Sequence, residues 1–454
     1  MSIKTVSANL TRLEGIISSL SSLSIDTVTG DAASDYSVEG KTPSVIARPV
    51  SPQGISEVMS VASEHGLSVE PLGGMTRTSL GNSPDSLDLA VDMSGVNQVL
   101  ARNAADLTAT FEAGITVSRV QEILAEHGQF LAIDPPLPDR ATIGGTLAVG
   151  WSGPMTWQNW SPRDIVIGMR TVMADGTITK TGGQVVKNVS GYDMARMHIG
   201  ALGTLGIIAE VSFKLTPLPS RQATVMATFD SDASCLGAAL AVYGSGLTPL
   251  AISTLHGQQP GAGGRGTDEA RPSLLVRIGG RARSVQRQID DVASIYRQSG
   301  SAQRDVIGDN DAAMMWRRMG DYGWTEETTP VAGIRANVLP SDTPRIIQSM
   351  QDIEDSTGLA WRATTQTAQG VVDIHWLNIE GEYSTEHVRS AISRTIQAVL
   401  RTGGTAVVTH APASMKETLD VWGETTSAID TMRNLKRQFD PNRVLNPGRF
   451  MGSI

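Results

Sequence analysis

Cysteine is almost absent from this chain: Cys235 is the only one in 454 residues. A single thiol excludes an internal disulfide framework, and it excludes any zinc or iron–sulfur centre built from four of the chain's own cysteines. Long apolar runs are missing too. No stretch is apolar for the roughly 18 residues a membrane-spanning helix needs, and Met1 to Gly30 has no basic segment followed by an apolar one. No spanning helix or secretory leader is therefore expected, and the chain reads as cytoplasmic. Positive charge is also in short supply, with 37 Lys and Arg against 46 Asp and Glu and a net charge of -9. Because no basic run is interleaved with aromatic residues either, nucleic acid is not an expected partner.

What is present describes a globular protein of more than one domain. Hydrophobic residues make up 40% of the chain and the mean hydropathy is -0.08, enough apolar surface for two or three cores at this length. Glycine is plentiful at 46 residues, about 10% against a usual 7%, so tight turns and close backbone approaches are expected.

Residues 1–39 open with apolar positions Val6, Leu10, Leu13, Ile17 and Leu20, one face of a helix that either docks on the protein's own core or stays exposed to receive a partner subunit. From about Gly40 to Pro219, strands and helices alternate. Strands are expected at Ser44–Pro49, Leu67–Pro71, Leu87–Met93, Asn97–Arg102, Leu107–Ala113 and Ile207–Leu215, and helices at Gly54–His65 and Val117–His127. Asp175-Gly176 separates two alternating runs and reads as a hairpin turn.

Two glycine-bearing loops and one later segment carry the chemistry in this half. In the first loop, Leu72 to Asn82, the consecutive Gly73 and Gly74 expose backbone N–H groups beside the hydroxyls of Thr76, Thr78 and Ser79, a donor set suited to an anion such as a diphosphate. The second, Asp134 to Pro154, is stiffened by prolines and sets Thr142-Ile143-Gly144-Gly145 as bare backbone, followed by apolar residues suited to a planar ring. Further on, Lys187 to Lys214 contains Gly200, Gly203 and Gly206 before a half-buried strand. Residue by residue, each glycine cluster also fits a structural turn.

In their order, these segments resemble the FAD-binding domain of the vanillyl-alcohol oxidase and p-cresol methylhydroxylase (PCMH) class, and most closely the FAD-binding subunits of glycolate oxidase. The resemblance rests on Leu72-Gly73-Gly74, on Pro138 to Gly145, on the KNVSGYD…GALGTLGIIAE segment and on the tail Leu445-Asn446-Pro447-Gly448-Arg449-Phe450. It is strong over residues 40–218 and 426–452. It implies an α+β fold: a two-subdomain PCMH-type FAD-binding domain at 40–219, an α/β ferredoxin-like cap at 220–425, and a C-terminal return to the flavin domain at 426–454. It further implies that Leu72, Gly73, Gly74, Met75 and Thr76 bind the diphosphate, that Pro138, Ala141, Thr142, Gly144, Gly145 and Gly150 line the cofactor, and that Gly206 and Ile208 face its nucleotide end. The first loop has no His or Cys where some relatives attach flavin covalently, so FAD is expected to be non-covalent.

The cap carries the expected catalytic candidates. Relatives that oxidise 2-hydroxy acids hold several histidines and an acid around a metal. Here Asp373-Ile374-His375 puts a carboxylate and an imidazole on one face of a strand, able to act as a base, although His375 equally fits a packed core position. His387 falls on an expected helix and His410 is distant in sequence, so no metal set is assembled. Trp151, Trp157 and Trp160 could wall the flavin or pack between domains, and Trp316-Arg317-Arg318 could offer a guanidinium to a carboxylate or lie on a solvated face. Gly261 to Gly266 matches a dinucleotide fingerprint but has neither a preceding strand nor a following helix, and reads as a surface loop. Two functions are carried forward. One is an FAD-dependent oxidoreductase that takes a hydride from a small 2-hydroxy acid and passes electrons to a protein acceptor. The other is a non-catalytic electron-transfer subunit whose partner flavoprotein oxidises the substrate. In either case an iron–sulfur partner is expected, since one cysteine cannot hold a cluster.

Overall fold

The computed structural model of the protein describes residues 3–151, 153–155, 161–183, 193–258, 271–378, 383–423 and 426–454. Trp157, Trp160, Lys187 to Tyr192 and the Gly261–Gly266 loop lie outside them. The chain divides into two units: Met1–Ser152 with Trp160–Pro217 and Glu424–Ile454, and Leu218–Gly423 with Gly153–Asn159. The first 39 residues fold into unit 1.

Unit 1 holds two main sheets. In the smaller, Asp26–Val28, Val45–Arg48, Leu89–Asp92 and Val69–Leu72 lie side by side in that order, the last three parallel. In the larger, Val99–Asn103, Thr108–Glu112, Ile207–Lys214, Val166–Val172 and Ile178–Gly182 form an antiparallel sheet. Val45, Ala47, Leu89 and Val91 of the first sheet share one core with Phe111, Val211 and Phe213 of the second. The helix Pro52–Glu64 is started by Ser51, whose hydroxyl accepts from the Gly54 N–H at 3.1 Å, and buries Ile55, Val58 and Met59 in the same core. Asp175-Gly176 makes the expected turn, with Gly176 at φ 86 and its N–H on the Met173 carbonyl.

The N-terminal helix runs Ile3–Ser22. Ile16 and Leu20 are buried, and Leu13 and Ile17 pack on the unit 1 core. Leu13, Ile16, Ile17 and Leu20 therefore face the protein's own core, so this part of the stretch is not an exposed face for a partner.

Unit 2 is one eight-stranded sheet in which every pairing is antiparallel. Its chain order reveals a duplication. Arg221–Thr228, the helix Asp232–Gly244, Ala251–Gly257, Ser273–Gly280, the helix Ala282–Gln298 and Gln303–Ile307 make one β-α-β-β-α-β half. Ala332–Asn337, the helix Thr343–Thr357, Ala360–Gln366, Val371–Leu377, the helix Thr385–Leu400 and Thr405–His410 make the other. Each half is the ferredoxin-like unit, and they join where Ser253–Gly257 pairs with Arg362–Gln366. Alternation sets the faces. Val372, Ile374 and Trp376 enter the core under the helices Thr343–Thr357 and Thr385–Leu400, which turns Asp373 and His375 to the opposite face.

Candidate functional site: a glycine-walled cleft in unit 1 and a buried arginine–histidine row in unit 2

The strand Val69–Leu72 delivers the first loop directly into a cleft of about 720 Å³ including its mouth, within the range of small-molecule sites. Leu72, Gly73, Gly74, Met75 and Thr76 line it together with Ala141, Thr142, Gly145, Thr146 and Ala148. Glycine is required where the two loops meet. A Cβ at Gly73 would run into the Thr142 side chain, and one at Gly74 into the carbonyl of Arg140. Met75 takes the left-handed region at φ 54, an uncommon conformation for a residue with a side chain and one that clusters at ligand sites.

The second loop departs from the expected bare turn. Residues Ile143–Val149 form a short helix, because Thr142 caps it by accepting from the Gly145 N–H at 3.2 Å and Gly150 closes it at φ 72. Its glycines divide by role. Gly145 is exposed to the cleft, and an added Cβ would meet only the Thr142 hydroxyl, at 3.1 Å. Gly144 is buried, gives its N–H to the Ala113 carbonyl and would meet Ala113 Cβ at 2.8 Å. Gly150 packs on Gly200, 2.7 Å from where its Cβ would stand. Neither Pro138 nor Gly150 lines the cleft: the Pro138 carbonyl accepts from Ser118 N–H, and Gly150 serves helix closure. Gly206 and Ile208 line a smaller adjoining cavity with Gly73, Gly144 and Gly145.

Sequence reasoning recognised the tail but missed its side chains. Arg449, buried, donates to the carbonyls of Asn82 (2.7 Å) and Thr78 (2.8 Å) and stands 3.5 Å from Glu70, so it clamps the first loop from its far side. Burial lifts the Glu70 carboxyl above its ordinary range, with Arg449 opposing. Asn446 gives its side-chain amide to the Leu202 carbonyl and its backbone N–H to the Val69 carbonyl (2.9 Å). The tail itself is fixed by Lys436, whose ammonium donates to the carbonyls of Thr204 (2.8 Å) and Leu445 (2.7 Å) and to Asp440 (2.7 Å), while Asp440 accepts the N–H groups of Val444 and Leu445.

A large polar cofactor fits this cleft on two observations. The buried Thr146 Oγ1 and Asn446 Oδ1, both on residues lining it, have no hydrogen-bond partner, so the wall offers polar atoms that a ligand would satisfy. The glycine contacts leave backbone bare at its rim.

In unit 2 the expected pair Asp373 and His375 is split. The Asp373 carboxylate accepts from Arg335 at 3.1 Å through both oxygens. His375 instead lies in a row across the sheet, with Arg362 its neighbour on one strand and Gly333 on the other, and His410 on the far side of Gly333. Distance in sequence had hidden His410, which β pairing restores to the site. The Tyr322 ring meets His375 edge-on at 5.3 Å, and Trp324 meets His410 at 5.9 Å. Burial first, then the charge of Arg362, pushes the His375 pKa down to about 3, and burial with Lys416 lowers His410 to about 4. Arg317 is held by Asp321 at 3.5 Å, and Trp316 donates to the Thr224 hydroxyl. His387 is exposed on its helix. Among the described residues no three His, Cys, Asp or Glu side chains form a metal-binding group, and no helix is long and apolar enough to cross a membrane.

Fold and cleft together define a flavin-dependent oxidoreductase of the PCMH type. Residues 43–182 match the FAD binding domain, and residues 218–450, half of the chain, match the C-terminal domain of FAD linked oxidases. The chain belongs to the FAD-linked oxidases, and its cofactor is FAD. It is 25% identical over 422 residues to the glycolate oxidase subunit GlcD of Bacillus subtilis, covering 90% of this chain and 89% of that one. It is 24% identical to the mitochondrial D-lactate dehydrogenase (cytochrome) of Arabidopsis thaliana, covering 90% and 73%. The solved structure of p-cresol methylhydroxylase with substrate bound superimposes with a TM-score of 0.74 over 97% of this chain and 96% of that one, at 14% identity.

One buried histidine in unit 1 gives a pH dependence. Burial lowers the His198 pKa from 6.5 to about 4, and its Nδ1 has no partner. The folded state resists protonation while the unfolded chain accepts it. The fold therefore has its full stability above about pH 6.5 and loses it as pH falls toward 4, by on the order of 3 kcal/mol. Denaturant unfolding at steps from about pH 7 to 4 should show a shallower loss for His198→Gln than for the parent. Parallel curves would mean that this histidine takes a proton in the fold at its ordinary pKa.

Proposed function

We propose that this oxidoreductase converts the CH–OH group of a small 2-hydroxy acid to the 2-oxo acid and passes the electrons to a protein acceptor. The observation that carries the reading is the flavin cleft of unit 1 in a chain aligned over nine-tenths of its length with proteins named for glycolate and D-lactate, both small 2-hydroxy acids. Gly73, Gly74, Met75 and Thr76 hold the diphosphate by backbone and hydroxyl donors. Thr142, Gly145 and Thr146 border the rest of the cofactor, with Ala141, Gly144, Gly206 and Ile208 behind them. Bound FAD supplies the two-electron acceptor for the hydride leaving the carbinol carbon. His375, the buried imidazole of the row, takes the hydroxyl proton; Asp373 neutralises Arg335 on the same face. FAD is non-covalent, the first loop offering no histidine or cysteine for attachment.

The acceptor comes from another protein. Cys235 is buried and burial raises its pKa, so an iron–sulfur cluster has to be brought by a partner subunit; one relative's name carries a cytochrome.

A second reading, an electron-transfer subunit beside a catalytic partner flavoprotein, draws on His375, since an imidazole with a pKa near 3 is a weak base. Steady-state assay of the isolated chain separates the two. With an artificial electron-accepting dye, one 2-hydroxy acid should be converted at about 1 per second or faster. No turnover with any acid, from a chain whose flavin is full, would favour the subunit reading.

A further inference from the structure

Among the described residues of unit 2, one buried cation keeps hydrogen-bond donors that nothing around it meets. Arg362 is 5% exposed, and its Nε and Nη1 have no hydrogen-bond partner. Its guanidinium carbon stands 3.6 Å from the centre of the Tyr322 ring, which attracts the cation through the ring face but leaves in-plane N–H donors unmet. His375, its cross-strand neighbour, is equally buried and also has an unpartnered Nδ1. Gly333, between His375 and His410 in the register, adds no side chain to the row. Lys416, 4% exposed, adds positive field at His410. Asp373, the carboxylate two residues before His375, is committed to Arg335. A guanidinium stays charged when buried, and an unmet buried charge is among the costliest arrangements a fold can carry.

We propose that this row is an anion site that binds a small carboxylate through the unmet donors of Arg362 and Nδ1 of His375, beneath the turn Tyr322-Gly323-Trp324. The choice of a carboxylate over other small anions rests on the oxidase reading above; the need for an anion does not. The turn is built to lie close: Gly323 sits at φ 81, and a Cβ there would run into the His375 ring.

The test is calorimetric titration of the flavin-loaded protein with oxalate, which resembles a 2-hydroxy acid but has no hydrogen to lose, and with acetate, inorganic phosphate and chloride. Oxalate should bind the parent, more tightly than phosphate or chloride. Arg362→Met should keep its flavin and bind oxalate about 30-fold more weakly, the scale of a lost charge-assisted hydrogen bond. His375→Asn should weaken binding about 10-fold and serves if the arginine variant does not fold. No binding of any carboxylate to the parent, or unchanged affinity in the variants, overturns the proposal, and tighter binding of phosphate overturns the carboxylate assignment. Failure of the oxidase reading is distinguishable, because oxalate would still bind while the flavin stayed oxidised with every 2-hydroxy acid.

Discussion

Gly145→Val should yield a folded, colourless protein. Gly145 is the glycine of the second loop that opens to the cleft, and only the Thr142 hydroxyl lies within 4 Å of where its Cβ would be. Two added methyl groups therefore project into cofactor space while the unit 1 core is untouched. Loss of close backbone approach on that scale should weaken FAD by about 100-fold or more, on the order of 3 kcal/mol. The flavin-to-protein ratio after gel filtration and the denaturant midpoint of the apoprotein read the two effects separately. Gly144→Val is the informative contrast. Its Cβ would crowd Ala113 at 2.8 Å, so it should lose stability together with flavin. A yellow Gly145→Val protein with full occupancy would remove this helix start from the cofactor site.

Asp440→Ala should cost unit 1 about 3–5 kcal/mol, the usual effect of stranding a buried charge. The Lys436 ammonium and the Asp440 carboxylate are 5% and 0% exposed, and burial already lowers the lysine's pKa. Removing the carboxylate leaves the ammonium with two carbonyls and frees the N–H groups of Val444 and Leu445. Flavin should leave as well, because the tail so anchored supplies Asn446 and Arg449 to the cleft wall. The double variant Lys436→Met with Asp440→Asn removes both charges at once, and should recover a large part of the stability in urea unfolding. Equal losses in the single and double variants would mean that the ion pair is not what holds the tail.

Local signals in the sequence were sufficient wherever one segment determines its own structure. The helix expected at Gly54–His65 forms as Pro52–Glu64, the strand expected at Ile207–Leu215 as Ile207–Lys214, and Asp175-Gly176 makes its turn. The FAD-binding domain was legible because the order of the glycine loops, rather than any one of them, resembles a family. Three things were not legible. The helix Ile143–Val149 was hidden by its two leading glycines, which oppose helix formation; the Thr142 cap and packing against Ala113 override them. Arg449 acts through tertiary bonds to Asn82 and Thr78, more than 360 residues away. His410 joins His375 only through strand pairing, with Gly333 between them. The Asp373-Ile374-His375 spacing correctly put two side chains on one face, but spacing carries no information about which cross-strand partner each one meets. Arg335 takes the first and Arg362 flanks the second.

FAD held by this chain should take electrons from a small 2-hydroxy acid, and anaerobic reductive titration reads that transfer without any acceptor in the way. The purified yellow protein is mixed, without oxygen or any other acceptor, with glycolate, lactate and related acids in both enantiomers. At least one acid should abolish the flavin's visible absorbance and leave one equivalent of 2-oxo acid per flavin. A flavin that dithionite reduces fully but that every acid leaves oxidised would contradict it.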